Sequence, residues 1–227
     1  EQDLVRELYW VVPDPGWENA RSRRPVVQHL RQLGRQYRST APIRQEGDGI
    51  RAELLGKPVR VCSLRSLPRF EESVLLDIDV DYLLIPNVAY RVWDTHLALP
   101  WCWPEDLVAR LAAGGIRSDL VTIALSAEGG YTPQAWKYLG EELALRLNRE
   151  QPEDDSLRGM ACLRKGAVAA HRGDWPSAER ELDLAARLLP ASAAPCYHRA
   201  RLYLAQGRTP EAQRSYQAAV ERDPSYC

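Results

Sequence analysis

Two consecutive stretches of 34 residues decide the fold of the C-terminal part of the chain: GMACLRKGAVAAHRGDWPSAERELDLAARLLPAS at residues 159–192 and AAPCYHRARLYLAQGRTPEAQRSYQAAVERDPSY at residues 193–226. Small or helix-ending residues recur at matched positions, namely Gly166, Gly173, Ala178, Ala185 and Pro190 in the first and Ala200, Gly207, Ala212, Ala219 and Pro224 in the second. Small residues let two antiparallel helices approach closely, and proline ends a helix. The pattern therefore predicts two successive helical hairpins.

This period and these positions resemble the tetratricopeptide repeat (TPR). The resemblance implies an all-α domain over residues 157–227, with repeats at Gly159–Ser192 and Ala193–Tyr226. Two repeats are few, since such solenoids generally need about three to bury a continuous core. We therefore expect them to pack on the preceding domain or to continue past Cys227. Repeats of this kind hold extended chains on concave surfaces, which implies a peptide or protein partner.

Composition restricts the class of protein. The 227 residues are 45% apolar, include seven Trp and ten Tyr, and carry a formal net charge of −1. These values predict folded domains and give no reason to expect nucleic acid or a membrane surface as a partner. Five cysteines, an odd number without a Cys-x-x-Cys pair, argue against a disulfide framework or a structural zinc site. A reducing cytoplasm is the predicted location.

The chain before residue 150 alternates strand-like and helix-like segments. Strands are predicted at residues 7–12, 50–55, 59–64, 74–80 and 120–125, and amphipathic helices at residues 25–38 and 104–113. This alternation predicts an α/β domain over residues 1–150, with a mostly parallel sheet flanked by helices. The last strand is apolar without alternation, which predicts that both of its faces are covered.

Acidic residues close one of these strands. In Ser73-Val-Leu-Leu-Asp-Ile-Asp-Val-Asp-Tyr82 the aspartates Asp77, Asp79 and Asp81 stand at every second position. Alternate side chains of a strand share a face about 6.6 Å apart, so three carboxylates would converge. A divalent cation removes the repulsion that such a cluster would otherwise suffer. The stretch therefore predicts a metal site.

A second polar element follows the last strand. Ser126-Ala-Glu-Gly-Gly-Tyr-Thr-Pro133 leads into an amphipathic helix that carries Trp136, Leu139 and Leu143 on one stripe. A Gly-Gly turn before a helix lets backbone approach a ligand closely. Tyr131 is placed there as a hydroxyl donor and Glu128 as an anion.

Together these pieces resemble the arginase and histone deacetylase superfamily. Asp77-Ile-Asp79 is similar to the Asp-x-Asp strand of arginases, and Gly129-Gly-Tyr-Thr132 to the Gly-Gly-Tyr segment of deacetylases. With Leu8-Tyr-Trp-Val-Val-Pro13, the combination most resembles an arginase-like family that includes peptide arginases, which convert arginine side chains in a peptide to ornithine.

The resemblance implies specific roles. Asp77 and Asp79, with Asp81 as a third acid, become ligands of a pair of manganese ions. Tyr131 becomes the group that stabilises the developing oxyanion, and Glu128 the acid that binds the substrate guanidinium. The implied activity is metal-dependent hydrolysis of a carbon–nitrogen bond, with the TPR repeats holding the substrate.

The chain also departs from this family. Arginases carry an Asp-x-His strand upstream of Asp-x-Asp, whereas Asp94-Thr-His96 lies downstream of Asp77. We expect the missing strand to precede Leu8. Two alternatives stay open: a non-catalytic TPR adaptor with a degenerate α/β domain, and a deacetylase-like amidohydrolase suggested by Tyr131.

Basic residues are concentrated near the first helix. Residues 21–38 contain six arginines, Arg21, Arg23, Arg24, Arg31, Arg35 and Arg38, and no acid. Such a run could bind phosphate or an acidic peptide. Because few aromatic residues interleave and the overall charge is balanced, a solvated helix face is the favoured interpretation.

Overall fold

The structure is a computed structural model that describes residues 5–86, 99–148 and 155–227. Packing divides the chain into two compact units, Glu1–Ala124 and Leu125–Cys227. This division comes earlier in the chain than the predicted boundary between residues 150 and 157, because residues 125–148 pack with the helical unit. Among the described helices, none has the length and apolar character needed to cross a membrane.

The first unit contains a four-stranded mixed sheet. Its strands are β1 (Leu8–Val12), β2 (Arg44–Glu46), β3 (Gly49–Leu54) and β4 (Lys57–Ser63), in the spatial order β1-β4-β3-β2. β1 and β4 are parallel, whereas β3 is antiparallel to both β4 and β2. The prediction of a mostly parallel sheet is therefore wrong for these four strands.

Tight turns explain the antiparallel pairs. β3 and β4 are joined by Leu55 and Gly56 alone, whose φ angles of 54° and 73° are both positive. Two consecutive positive φ angles define the hairpin turn that matches the twist of antiparallel strands. β2 is only three residues long, with all three residues exposed, and it was not predicted from the sequence.

A helix packs on this sheet and forms a hydrophobic core with it. It is α1 (Arg24–Gln36), which buries Val26 and Leu30 from its apolar stripe. The core residues contributed by the rest of the unit are Val12, Trp17, Ile50, Ala52, Val59 and Val61. Each fully buried aliphatic side chain contributes roughly 1.5–3 kcal/mol. The predicted amphipathic helix is confirmed.

A second, smaller sheet pairs β5 (Leu75–Asp79) with β6 (Leu120–Ala124) in parallel, and α2 (Pro104–Ala113) lies between them in the chain. The prediction that β6 is covered on both faces is wrong. Leu120 and its register partner Leu75 are 57% and 66% exposed. Within the described residues the two strands pair only with each other, so no wider sheet covers them.

The second unit is helical. α3 (Tyr138–Leu147) precedes two hairpins, α4 (Asp155–His171) with α5 (Trp175–Leu188), and α6 (Ala194–Ala205) with α7 (Thr209–Arg222). The hairpins coincide with the two predicted repeats. A Cβ atom on Gly166 would lie 2.7 Å from Cγ of Leu182, so glycine permits the close approach of α4 and α5.

Candidate functional site

The three aspartates predicted as metal ligands do not lie on one strand. β5 ends at Asp79, whose carboxylate accepts a hydrogen bond from the backbone N–H of Asp81 at 3.4 Å. The chain turns there into a 3₁₀ helix over Val80–Leu83. The expected alternation of all three acids along one strand is therefore wrong, because the Asp79 side chain caps the turn that removes Asp81 from the strand.

Asp79 and Asp81 nevertheless form a close pair of carboxyl groups. Burial, followed by the negative charge of Asp79, raises the pKa of the Asp81 carboxyl to about 6. Asp77 is exposed on β5, where it accepts a hydrogen bond from the hydroxyl of Thr122, its register partner on β6. The structure thus brings two of the three acids together and gives the third a separate partner.

A complete metal site needs more donors than this pair supplies. Divalent cations take about four to eight ligands, of which water can provide several. In residues 5–86, 99–148 and 155–227, no group of three or more His, Cys, Asp or Glu side chains is arranged to hold a metal. Asp94 and His96, the other candidate ligands, lie outside the described residues.

Glu128 and Tyr131 belong to the second unit. They lie in the turn after β6, in which the N–H groups of Tyr131 and Thr132 both donate to the carbonyl oxygen of Ser126 at 3.2 and 3.1 Å. The Tyr131 side chain is 51% exposed, and Glu128 is exposed as well. The turn therefore presents both side chains to solvent, and the predicted roles of Tyr131 and Glu128 stay predictions.

Sequence reasoning missed a buried carboxylate in the first unit. The Asp14 side chain, directly after β1, is only 3% exposed. Its Oδ2 atom lies 3.0 Å from Nε of Arg65, which follows β4, and 3.0 Å from Nη1 of Arg110 on α2. No sequence signal singled out Asp14, because its two cations are about 50 and 100 residues away in the chain.

Two buried oxygen atoms, one from this carboxylate and one from Tyr82, lack hydrogen-bond partners among the described residues. Oδ1 of Asp14 and the hydroxyl of Tyr82 make no hydrogen bond with any part of the chain that the structure describes. Burial, with the negative charge of Asp14 as the next cause, raises the pKa of Tyr82. The carboxyl ends of the parallel pair β1 and β4 therefore carry a carboxylate that two guanidinium groups neutralise.

The residues that end β4 differ from those that the resemblance to arginases implies. β4 is the strand immediately before β5 in the chain, and it ends in Cys62 and Ser63, with Arg65 in the following turn. These are not the Asp and His that the family places upstream of Asp-x-Asp. Burial raises the pKa of the Cys62 thiol to about 11, so it stays protonated at neutral pH and is a poor metal ligand.

In the second unit, the segment Gln134–Leu147 packs against α4 and α6, the first helices of the two hairpins. Nε2 of His198 on α6 donates a hydrogen bond to the carbonyl oxygen of Ala135 at 2.7 Å. Oε1 of Glu142 on α3 lies 3.2 Å from Nη1 of Arg164 on α4, and Glu142 is fully buried. We call the surface formed by α4 and α6 the first-helix face.

The start of this segment also reaches the end of the second hairpin. Nζ of Lys137 lies 2.6 Å from Oδ2 of Asp223 and 4.9 Å from the ring centroid of Tyr226. The Lys137 hydrogen bond helps to lower the pKa of Asp223 to about 2. The Trp136 and Tyr138 rings flank His198 at 5.9 and 5.6 Å between centroids. The first-helix face is therefore packed against the protein's own chain.

Comparison with known proteins supports the repeat assignment. Residues 193–226 match the sequence model of the tetratricopeptide repeat, with the bounds predicted for the second repeat. Neither the curated proteins nor the solved structures contain a significant match to the chain. The comparisons thus support a TPR repeat over α6 and α7 and give no match to an arginase or deacetylase domain.

Proposed function

We propose that the protein is an interaction protein whose helical unit binds a polypeptide segment on the first-helix face. The carrying observation is that α6 of the hairpin that matches the tetratricopeptide repeat, together with α4, holds residues 134–147 through His198 and Arg164. Helical repeats form extended concave surfaces that suit a polypeptide chain, and this surface already holds a segment of the protein itself.

The segment that already occupies the first-helix face lowers the affinity for a partner polypeptide. A partner polypeptide takes the place of residues around Ala135 and Lys137, so its affinity is reduced by the free energy that holds this segment. Lys137→Ala removes the contacts with Asp223 and Tyr226 and therefore raises the affinity for a partner. Arg187→Ala, which removes an exposed positive charge on α5 outside the first-helix face, is the control.

Peptides selected from a random library on the full chain provide the test. We expect selected peptides to cross-link to α4 or α6 and to bind Lys137→Ala about threefold or more tighter than wild type, since a contact of this type is worth about 1 kcal/mol. Arg187→Ala should bind as wild type does. Cross-links confined to residues before 125, or equal affinities of Lys137→Ala and wild type, would contradict the proposal.

The second candidate function is arginase-like hydrolysis of a carbon–nitrogen bond. The observation in its favour is the Asp79–Asp81 pair, since carboxyl groups with raised pKa values at a strand end are frequent in functional sites. Asp79 and Asp81 would hold manganese, while the roles of Tyr131 and Glu128 follow from the resemblance alone. When bound, such an ion lowers the pKa of water and supplies a nucleophile.

Metal binding tests this candidate separately from catalysis. If Asp79 and Asp81 hold manganese, added Mn²⁺ raises the melting temperature of wild type but not of Asp79→Asn/Asp81→Asn. Asp106→Asn, an exposed acid on α2, is the control. Release of ornithine or urea from an arginine peptide identifies arginase chemistry, and release of acetate from an acetyl-lysine peptide identifies the deacetylase alternative. Identical melting temperatures with and without Mn²⁺ would rule out the metal role of the pair.

A further inference from the structure

A cavity of about 430 Å³ lies in the first unit, between α1 and β2. Four arginines line it: Arg23 and Arg24 at the start of α1, Arg31 two turns later, and Arg44 on β2. Its apolar lining comes from Val27, Ile43 and Ile50, and no acidic residue lines it within the described chain. The volume falls in the range of binding pockets.

Three of the four arginines have no counter-charge among the described residues. The Arg23 guanidinium donates to the carbonyl oxygen of Trp17 and pairs with Asp48. Arg24, Arg31 and Arg44, in contrast, form no ion pair within the part of the chain that the structure describes. Other arginines of this sheet do pair, as Arg51 does with Glu46 and Arg60 with Glu7. The cavity is therefore lined by three guanidinium groups that are not neutralised by a carboxylate of the described chain.

The spacing of these charges favours an elongated ligand. Arg31 is seven positions after Arg24, which places them on one face of α1 about 10.5 Å apart along the axis. An extended polypeptide presents the side chains on one side about every 6.6 Å. Two successive acidic side chains of such a segment can therefore reach both arginines, whereas a single phosphate spans only a few ångströms.

The other side of the cavity is the edge of a sheet. β2 is the last strand in the sheet order, and Gln45 at its centre lines the cavity. Glu46 and Gly49 flank a two-residue turn, so they form the hydrogen-bonded pair. Because such pairs alternate, the backbone N–H and C=O of Gln45 point away from β3, towards the open edge. An added strand can bond there.

We propose that this cavity binds an acidic polypeptide segment in extended conformation. Its carboxylates pair with Arg24, Arg31 and Arg44, its backbone runs beside β2, and its apolar side chains contact Val27 and Ile43. The proposal does not depend on the first-helix face, since the cavity belongs to the first unit and that face to the second. It replaces the interpretation of the arginine run as only a solvated helix face, because folding brings Arg44 across from α1.

Fluorescence anisotropy with a labelled peptide of about eight alternating Glu and Val residues tests the proposal on the full chain. We expect binding that weakens as salt rises, and none with Gln in place of Glu. Arg24→Gln/Arg31→Gln should weaken binding at least about tenfold, as expected for two charge-assisted contacts. Arg35→Gln/Arg38→Asn, which removes two charges outside the cavity, should change it less than about twofold.

Several results would overturn the proposal. Equal weakening by both double variants would show that only net charge attracts the peptide. No binding of the acidic peptide, combined with stabilisation by inorganic pyrophosphate, would assign the cavity to a small anion. Full affinity of a peptide that is N-methylated at alternate residues would eliminate backbone pairing with β2. The four substituted residues, Arg24, Arg31, Arg35 and Arg38, are all exposed. Both double variants should therefore fold, and unchanged melting temperatures would confirm this.

Discussion

His198 lies on the first helix of the second repeat, and its Nε2 atom donates a hydrogen bond to the carbonyl oxygen of Ala135 at 2.7 Å. The two residues are 63 positions apart in the chain. This bond joins the segment before the repeats to the repeat itself. Burial, with the positive charge of Arg201 as the next cause, lowers the pKa of His198 to about 4.

Acid should destabilise the helical unit through His198. Because its folded-state pKa lies below the usual value of 6.5, the unfolded chain takes up a proton first as the pH falls. The stabilisation is complete above pH 6.5 and decreases between pH 6.5 and about 4, by an amount on the order of 3 kcal/mol. His198→Gln lacks this titration, so its melting temperature should approach or exceed that of wild type at pH 4.5. A constant difference between the two proteins from pH 7.5 to 4.5 would contradict the prediction.

Asp81 should show the opposite dependence on pH. Its folded-state pKa of about 6 is above the usual 3.8, so the folded protein binds the proton more tightly than the unfolded chain. The ionised carboxyl is destabilising at neutral pH, and this penalty is relieved as the pH falls from about 6 to 4. Asp81→Asn should therefore stabilise the protein by about 1–2 kcal/mol at pH 7.5 and by little at pH 4, measured by thermal melts.

Gly166→Ala should destabilise the helical unit. The new Cβ atom would lie 2.7 Å from Cγ of Leu182, and such overpacking costs about 1–3 kcal/mol. That exceeds the gain of up to about 1 kcal/mol from replacing glycine in a helix. Gly34→Ala on α1 is the control, because its nearest contact is 3.9 Å, and it should stabilise instead. Calorimetry should show a lower melting temperature for Gly166→Ala and a higher one for Gly34→Ala.

Asp14→Asn should destabilise the first unit by about 1–2 kcal/mol, because Arg65 and Arg110 lose their shared counter-charge. The two arginines are 78% and 45% exposed, so solvent screening keeps the effect below that of a fully buried pair. Asp48→Asn removes a carboxylate that is 55% exposed in its pair with Arg23, so it should lose less than about 1 kcal/mol. Chemical denaturation of both variants measures the loss in the free energy of unfolding. Equal losses would contradict the prediction that Asp14 stabilises the unit more than Asp48 does.

The sequence by itself determined the helical hairpins and most strands. The 34-residue period reflects a local requirement for small residues at helix contacts, as at Gly166, and the strands follow from short apolar runs. Such signals lie within a few residues of the structure they specify. For the same reason the three-residue strand β2 left no signal, since its pairing comes from the turn that joins it to β3.

Tertiary structure alone decided the sites. Asp14, Arg65 and Arg110 come together only through the packing of elements that are distant in the chain. The segment around Ala135 reached His198, and Arg44 came to lie across from α1, in the same way. Burial and charge pairing depend on which residues meet in space, and a linear pattern does not contain that information.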